Sequence, residues 1–449
     1  MNIWQKAYSK LNNLWGDLQG YKRSQIRADA AAHALWEREA LNEYSLGLFR
    51  ERCRFAIKKF PQYAQKITEC CGDDILQMDF LPSDIPVWTR KDMKKWFSSI
   101  DSSPIPGSWV HKTGGTSGSP VYFYVTRESY EWRSAVSDRG YSWANAQPGV
   151  KSVYIWGAPA VKPLFIRRVC ENLNRKMQRR YFFDAFVMDE RSMAECCALI
   201  NKVKPEAIVG YAGCLAALAS YVIREKNKLK HRARSIVTAA EALLDGQEEL
   251  LTQALGDEVF RSYGSREFML IGMECRLHRG YHISSDNLYV EVVDENGKPV
   301  ADGEKGRILI TDLHNDASPF VRYEIGDMGV SSGERCPCGL PFPLLEKVEG
   351  RIQEEIILPD GCRASTLIIP HLVKEFKWIY AYQFIQKTPD TFEINVVSDE
   401  NLCAKESGNL VRLLKEKMGE NLEFAVKCTK QLRRLPNGKT PFFVREEQP

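Results

Sequence analysis

From residue 121 to about 243, short apolar runs alternate with segments of helical spacing, and this alternation restricts the fold more than any other feature of the chain. VYFYVT from 121, SVYIWG at 152–157, AIVGY at 207–211 and SIVTAAEAL at 235–243 read as strands, the last feeding a helix. Residues 127–147, 162–180, 190–202 and the stretch from Tyr211 to about 228 read as helices. Strands separated by whole helices cannot pair through tight hairpins, so the expected architecture is a parallel sheet layered with helices. Residues 1–75 add further helices, and Pro82, Pro86, Pro104 and Pro106 punctuate the next stretch. After 265 the pattern changes. YHISSDNLYVEVVD and GRILITDL are consecutive β-segments around Asn296-Gly297, a hairpin signal. Beyond Gly350 comes an α+β segment: a strand at 354–358, a turn at Pro359-Asp360-Gly361, a helix at 366–376, strands near 380–397, a helix at 404–418 and a final strand. The expected fold class is α/β. A large N-terminal domain (1–350) of layered α/β subdomains carries a smaller β-rich subdomain, and a small α+β domain (351–449) follows.

Size and charge narrow the function classes. A chain of 449 residues with 44% hydrophobic content suits two or three domains. A net charge of +4 is too diffuse for a nucleic-acid groove, and Arg167-Arg168 and Arg175–Arg180 read as solvated helix faces. The first residues have no secretory pattern, and no apolar run reaches bilayer length. The expectation is a cytoplasmic protein with neither membrane nor nucleic-acid partner. Thirteen Cys in such a chain suit reduced thiols.

HKTGGTSGSP, from His111 to Pro120, is the strongest motif. Its glycines let successive N–H groups converge on an anion, and Thr113, Thr116 and Ser117 add hydroxyl donors. No Gly-Lys-Ser/Thr closes it before a helix, so it is not a Walker A loop. By itself it reads equally as a flexible turn. Its companions carry the argument. In Tyr263-Gly264-Ser265-Arg266-Glu267 an aromatic ring and a carboxylate suit a purine and Mg²⁺. TDLHNDASPFVRYEIGD (Thr311–Asp327) brings Arg322 and a carboxylate suited to ribose hydroxyls, Asp327. Gly350-Arg351 and a lysine-bearing turn, Leu435–Lys439, complete the set.

Together these motifs resemble the adenylate-forming superfamily of acyl-CoA synthetases and adenylation domains, most closely the CapK-type members of its phenylacetate-CoA ligase branch. The resemblance runs from about residue 80 and implies a small mobile C-terminal domain. It implies that Thr113, Gly114, Gly115, Thr116, Ser117 and Gly118 cradle the ATP phosphates, with Thr116 catalytic. Ala240, Glu241, Tyr263, Gly264 and Ser265 would frame the nucleotide, Glu267 would be the Mg²⁺ ligand, and Asp327 and Arg351 would hold the ribose. Lys439 would bridge the substrate carboxylate and the α-phosphate. The implied reaction is carboxylate activation as an acyl-adenylate, with pyrophosphate release and transfer to the thiol of CoA. The alternative acceptor is an amine, a sugar or a carrier-protein thiol, as in polysaccharide or natural-product assembly. The hinge position, usually Asp, is Glu354 here, and the residue after YGS is Arg266 instead of Thr or Cys.

Two further groups stand out. Trp156-Gly157 and Gly210-Tyr211 end predicted strands and are candidates for the carboxylate pocket. Cys275-x-x-His278 and Cys336-x-Cys338 fall in one predicted subdomain; three Cys and one His make a closed tetrahedral zinc site, with His282 as a competing ligand. The competing reading is reduced thiols in turns with surface histidines. The implied cofactors are ATP, Mg²⁺, CoA and a structural Zn²⁺, and a homodimer is one expectation for the assembly.

Overall fold

The computed structural model describes residues 3–72, 79–98, 107–112, 121–157, 165–184, 190–226, 228–240, 243, 246–349, 355–366, 368–373, 375–376, 378–379, 381–398, 400–429, 432 and 442–446. They form two compact units. The first comprises 1–112, 121–148 and 260–351, and the second 113–120, 149–259 and 352–449.

The first unit begins with α1 (Ile3–Leu18), α2 (Arg23–His33), α3 (Arg38–Lys59), α4 (Pro61–Cys71) and α5 (Arg90–Ser98). The hairpin β1 (Trp109–Lys112) and β2 (Tyr122–Val125) leads into α6 (Arg127–Trp143). Thr126 caps α6 by accepting the Ser129 N–H at 3.2 Å. The helix stops short of the expected 147 because Asn145 turns left-handed, with φ 51, and Ala146 N–H bonds the Tyr141 carbonyl at 2.8 Å. The remaining strands are the end of β7 (Gly256–Ser265), β8 (Met269–Glu274), β9 (Tyr281–Ile283), β10 (Leu288–Val293), β11 (Lys305–Asp312), β12 (Tyr323–Ser332) and β13 (Leu344–Glu349). They lie in the order β10-β11-β12-β13-β9-β8-β7 and pair antiparallel throughout. The expected hairpin is present: Asp294 N–H bonds the Lys298 carbonyl at 2.8 Å across Asn296-Gly297. The core of this unit is aromatic, with Phe49, Tyr63, Trp88, Phe123, Phe268 and Phe320 buried together.

The second unit holds the alternating part of the chain: β3 (Ser152–Trp156), α7 (Phe165–Met177), β4 (Arg180–Asp184), α8 (Glu190–Val203), β5 (Ala207–Tyr211), α9 (Ala212–Arg224), β6 (Ala233–Ala239) and α10 (Gln247–Ala254). Its strands run in the order β6-β5-β3-β4, all parallel, as the alternation requires. β4 follows the helix expected over 162–180 and was not itself expected. Its RYFFD sequence favours the pleated, half-buried surface that aromatic residues fill. The same unit takes in β14 (Glu355–Ile357), β15 (Arg363–Ser365), α11 (Ile368–Val373), β16 (Ala381–Gln386), β17 (Thr391–Val397), α12 (Glu400–Met418), β18 (Glu423–Cys428) and β19 (Phe443–Arg445). Here β18-β17-β16-β19 make a four-stranded mixed sheet. One apolar cluster joins Val153, Ile208 and Leu215 to Ile356, Phe384 and Leu414.

Candidate active site

In the first unit the residues after β7 form a tight corner. Tyr263 is buried, and its hydroxyl donates to Asp327 Oδ2 at 2.9 Å. Burial, and then the adjacent Asp327 carboxylate, hold the phenol well above its ordinary pKa, so it remains a donor at neutral pH. The β7–β8 register slips between Tyr263 and Gly264. A Cβ on Gly264 would stand 2.4 Å from the Met269 carbonyl oxygen, so only glycine fits this approach. Ser265 Oγ accepts the Phe268 N–H at 3.3 Å, and Glu267 between them is 6% exposed. Tyr263, Asp327 and Glu267 thus come together in one corner, an aromatic ring beside two carboxylates.

The Thr311–Asp327 motif divides into two roles. Asp327 belongs to the corner. Arg322 does not: it is buried and ion-paired to Glu291 at 3.0 Å, it bonds the Gly297 carbonyl at 2.6 Å, and it donates to the Ile85 carbonyl. Nothing in the residue pattern signals that the rest of the motif fastens β2. Ser318 Oγ accepts the Tyr124 N–H at 2.8 Å, Asn315 Nδ2 donates to the Tyr124 carbonyl at 2.9 Å, and Asp312 holds Arg133 of α6 at 2.6 Å. These residues anchor the strand that follows the glycine-rich loop. On the other side of that loop, Trp109 Nε1 donates to His111 Nε2 at 2.7 Å. Burial, then the charges of Arg133 and Arg266, lower the His111 pKa and keep the ring neutral.

In the second unit, Trp156 and Tyr211 end parallel strands with ring centroids 4.5 Å apart. Gly210 sits tightly between its neighbours: a Cβ there would lie 3.0 Å from the Ile155 carbonyl oxygen. Gly157 follows Trp156 directly. Ala240, just past β6, is exposed and left-handed, with φ 66, an uncommon state for alanine. Thr113, Gly114, Gly115, Thr116, Ser117, Gly118, Glu241, Arg351, Glu354 and Lys439 lie outside the described residues.

The cysteines converge in the first unit, with a different histidine from the one expected. Cys275, His282, Cys336 and Cys338 place one donor atom each within 4.8 Å of one another. His278 turns away, its Nδ1 lying 3.3 Å from Glu274 Oε2. A backbone N–H reaches each of two sulfurs: Leu277 to Cys275 and Leu340 to Cys338, both at 3.5 Å. Cys275 Sγ lies 3.8 Å from Cys336 Sγ, and Cys338 Sγ lies 3.4 Å from His282 Nε2. A tetrahedral zinc–thiolate site, with Zn–S about 2.3 Å, has edges of about 3.8 Å, so the donor set fits zinc. Burial pushes the Cys338 thiol up to about 12 and His282 down to about 4, leaving the imidazole neutral and able to ligate. What brings His282 to the cysteines is its place in β9, where it pairs with Leu344 of β13 just after the Cys336–Cys338 turn.

Comparison with known proteins agrees with these features. Residues 356–446 match the family model of the CapK C-terminal domain. A phenylacetate-coenzyme A ligase of Thermus thermophilus is 25% identical over 360 residues, covering 74% of this chain and 77% of its own. Protein CapK of Staphylococcus aureus is 19% identical over 370 residues, covering 80% and 79%. A crystal structure of 2-hydroxyisobutyryl-CoA ligase shares the fold, with a TM-score of 0.60, 19% identity and 90% of each chain covered. The chain thus carries a match to the CapK C-terminal domain over residues 356–446 and is similar along most of its length to phenylacetate-coenzyme A ligases and to protein CapK.

Proposed function

We propose that the protein is an AMP-forming carboxylate ligase: it activates a carboxylate with ATP as an acyl-adenylate, releases pyrophosphate and passes the acyl group to the thiol of CoA. The observation that carries this reading is the corner of Tyr263, Asp327 and buried Glu267. It joins a ring for stacking, an acceptor for ribose hydroxyls and a carboxylate for a cation, in a chain related to phenylacetate-coenzyme A ligases.

The electrostatic problem is that one anion must attack another. Two unit charges about 4 Å apart repel by about 4 kcal/mol at an effective dielectric near 20. Mg²⁺ on Glu267 would neutralise phosphate charge when bound. The N–H groups of Thr113–Ser119 and the ammonium of Lys439 would add fixed positive potential. Asp327, held by Tyr263, would orient the ribose together with Arg351. Trp156 and Tyr211, with Gly157 and Gly210 leaving room between strands, would line the acyl pocket. A domain boundary at 350/351, as the sequence leads one to expect, would let residues 351–449 carry Lys439 to the nucleotide for the first step and away for the second.

Zinc at Cys275, Cys336, Cys338 and His282 would be structural, since the protein supplies all four ligands and leaves no position open.

A panel of carboxylates, assayed for AMP release with and without CoA, tests the function. CoA-dependent AMP release with one carboxylate class is the expected result. AMP release that ignores CoA but requires an amine, a sugar or a carrier protein would move the acceptor to the second reading. No ATP·Mg binding at all would end both. Lys439→Ala is expected to abolish carboxylate-dependent pyrophosphate exchange while a supplied acyl-adenylate is still converted; normal exchange in that variant would remove the lysine from the mechanism.

A further inference from the structure

Five of the exposed large apolar side chains among the described residues lie on a single helix. On α1, Trp4, Leu11, Leu14, Trp15 and Leu18 are 50, 57, 55, 62 and 74% exposed, and Ala7 between them is also exposed. The opposite face is used: Gln5, Tyr8 and Gly16 are buried, and Arg23 of α2 bonds the Asn12 carbonyl at 2.8 Å. One face thus fixes the helix to its unit while the other is apolar and open to water.

The spacing of the open face is specific. Residues 4, 7, 11, 14 and 18 step by three and four, the repeat of a coiled-coil seam, in which they take the a and d positions. In an antiparallel pair of such helices, a positions of one strand layer against d positions of the other. Leu11 then meets Leu14 of the partner subunit, and small Ala7 meets the large Leu18 of the partner subunit. The flanking g positions are Lys10 and Asp17, both exposed. In that same register each Lys10 faces the partner's Asp17, so the two charges on the flank are opposite twice over. A two-fold axis between Leu11 and Leu14 satisfies the apolar layers and the charges at once, as an isologous contact must.

We propose that α1 is a homodimerisation helix, pairing antiparallel with the α1 of a second copy of this chain. The 16-residue helix is about 24 Å long, enough for four apolar layers. Asp17 keeps its negative charge while accepting the Ser24 N–H at 2.9 Å, so each flank of the pair sets a cation against an anion, a pattern that a second copy satisfies and an anionic lipid surface does not.

Sedimentation velocity of the full chain over a concentration series tests this. The wild type is expected to be dimeric, and Leu11→Glu/Leu14→Glu monomeric with an unchanged circular dichroism spectrum. Lys10→Asp places like charges on both flanks and should weaken the dimer about tenfold. Adding Asp17→Lys to it should restore the affinity, although that change by itself costs the protein the acceptor for the Ser24 N–H. The proposal is overturned if the wild type is monomeric at every concentration, if the double glutamate variant still dimerises, or if the charge reversal fails to restore affinity. Binding of a monomeric wild type to anionic phosphatidylserine vesicles would equally overturn it, by giving the face to a membrane.

Discussion

Gly264 and Tyr263 act on the same corner by different means, and single substitutions separate them. Gly264→Ala must move backbone, because the added methyl would meet the Met269 carbonyl oxygen at 2.4 Å. Moving that corner shifts Tyr263 and Glu267 together, so the variant is expected to lose more than tenfold in ATP·Mg affinity and to melt several degrees lower, at about 2–4 °C per kcal/mol. Tyr263→Phe keeps the ring and removes only the donor to Asp327. Losing one such bond costs about 1 kcal/mol, so titration calorimetry should show ATP·Mg binding weakened about fivefold with little change in melting temperature. Equal losses in the two variants would mean that the Tyr263 hydroxyl, not the shape of the corner, dominates. The sequence showed both residues as members of a motif. It could not show that they act on the corner by different means, because that depends on the Met269 carbonyl across a register slip.

Among elements, α2 and α6 are fastened to the loop before β10 by Asp286. Its carboxylate is fully buried, receives both Nη atoms of Arg139 at 2.7 Å and lies 3.1 Å from His33 Nδ1. Burial alone would raise its pKa; the charge and hydrogen bonds of Arg139, with His33, overcome this and hold it below the ordinary carboxylate range. The sign follows from linkage. A carboxyl that binds its proton less readily folded than unfolded stabilises the protein above its unfolded pKa of about 3.9, and that stability fades as the pH falls further. Urea unfolding free energy is therefore expected to fall as the pH drops below about 4. Asp286→Asn should lower it by about 3–5 kcal/mol at neutral pH, by leaving Arg139 buried without its partner, and should flatten the acid limb. An unchanged acid limb would place the acid sensitivity elsewhere. This clamp was invisible in the sequence, as were the ties from Asn315 and Ser318 to β2, because they join residues far apart in the chain with no spacing rule between them. The strands and helices of the alternating region were legible because periodicity is local, and β4 was missed because aromatic residues at a helix end carry no periodic signal. His278 was preferred to His282 for a similar reason: proximity in sequence to Cys275 suggested it, while a strand pairing with β13 decided otherwise.

At the scale of the whole molecule each unit has its own means of stability, and two perturbations address them separately. The first unit contains the Cys275, His282, Cys336 and Cys338 cluster. The second relies on an apolar cluster to which residues after 352 contribute Ile356, Ile369, Leu372, Phe384 and Phe392, all buried. Metal analysis of protein washed with a weak chelator is expected to find one zinc per chain, and Cys336→Ser none. Stripping the zinc should lower the calorimetric transition of the first unit, since four donors gathered within 4.8 Å, three of them on buried residues, are otherwise left without a cation. Ending the chain at 351 should instead lower the transition of the second unit, because it strips packed side chains from Val153, Ile208 and Leu215, at about 25 cal/mol for each Å² of apolar surface returned to water. The two effects should add in a truncated, zinc-free protein, as independent sites do. Protein without zinc, melting as the wild type does, would leave the cysteines as buried thiols; a truncation that leaves both transitions in place would mean that the apolar cluster of the second unit is complete without residues 352–449.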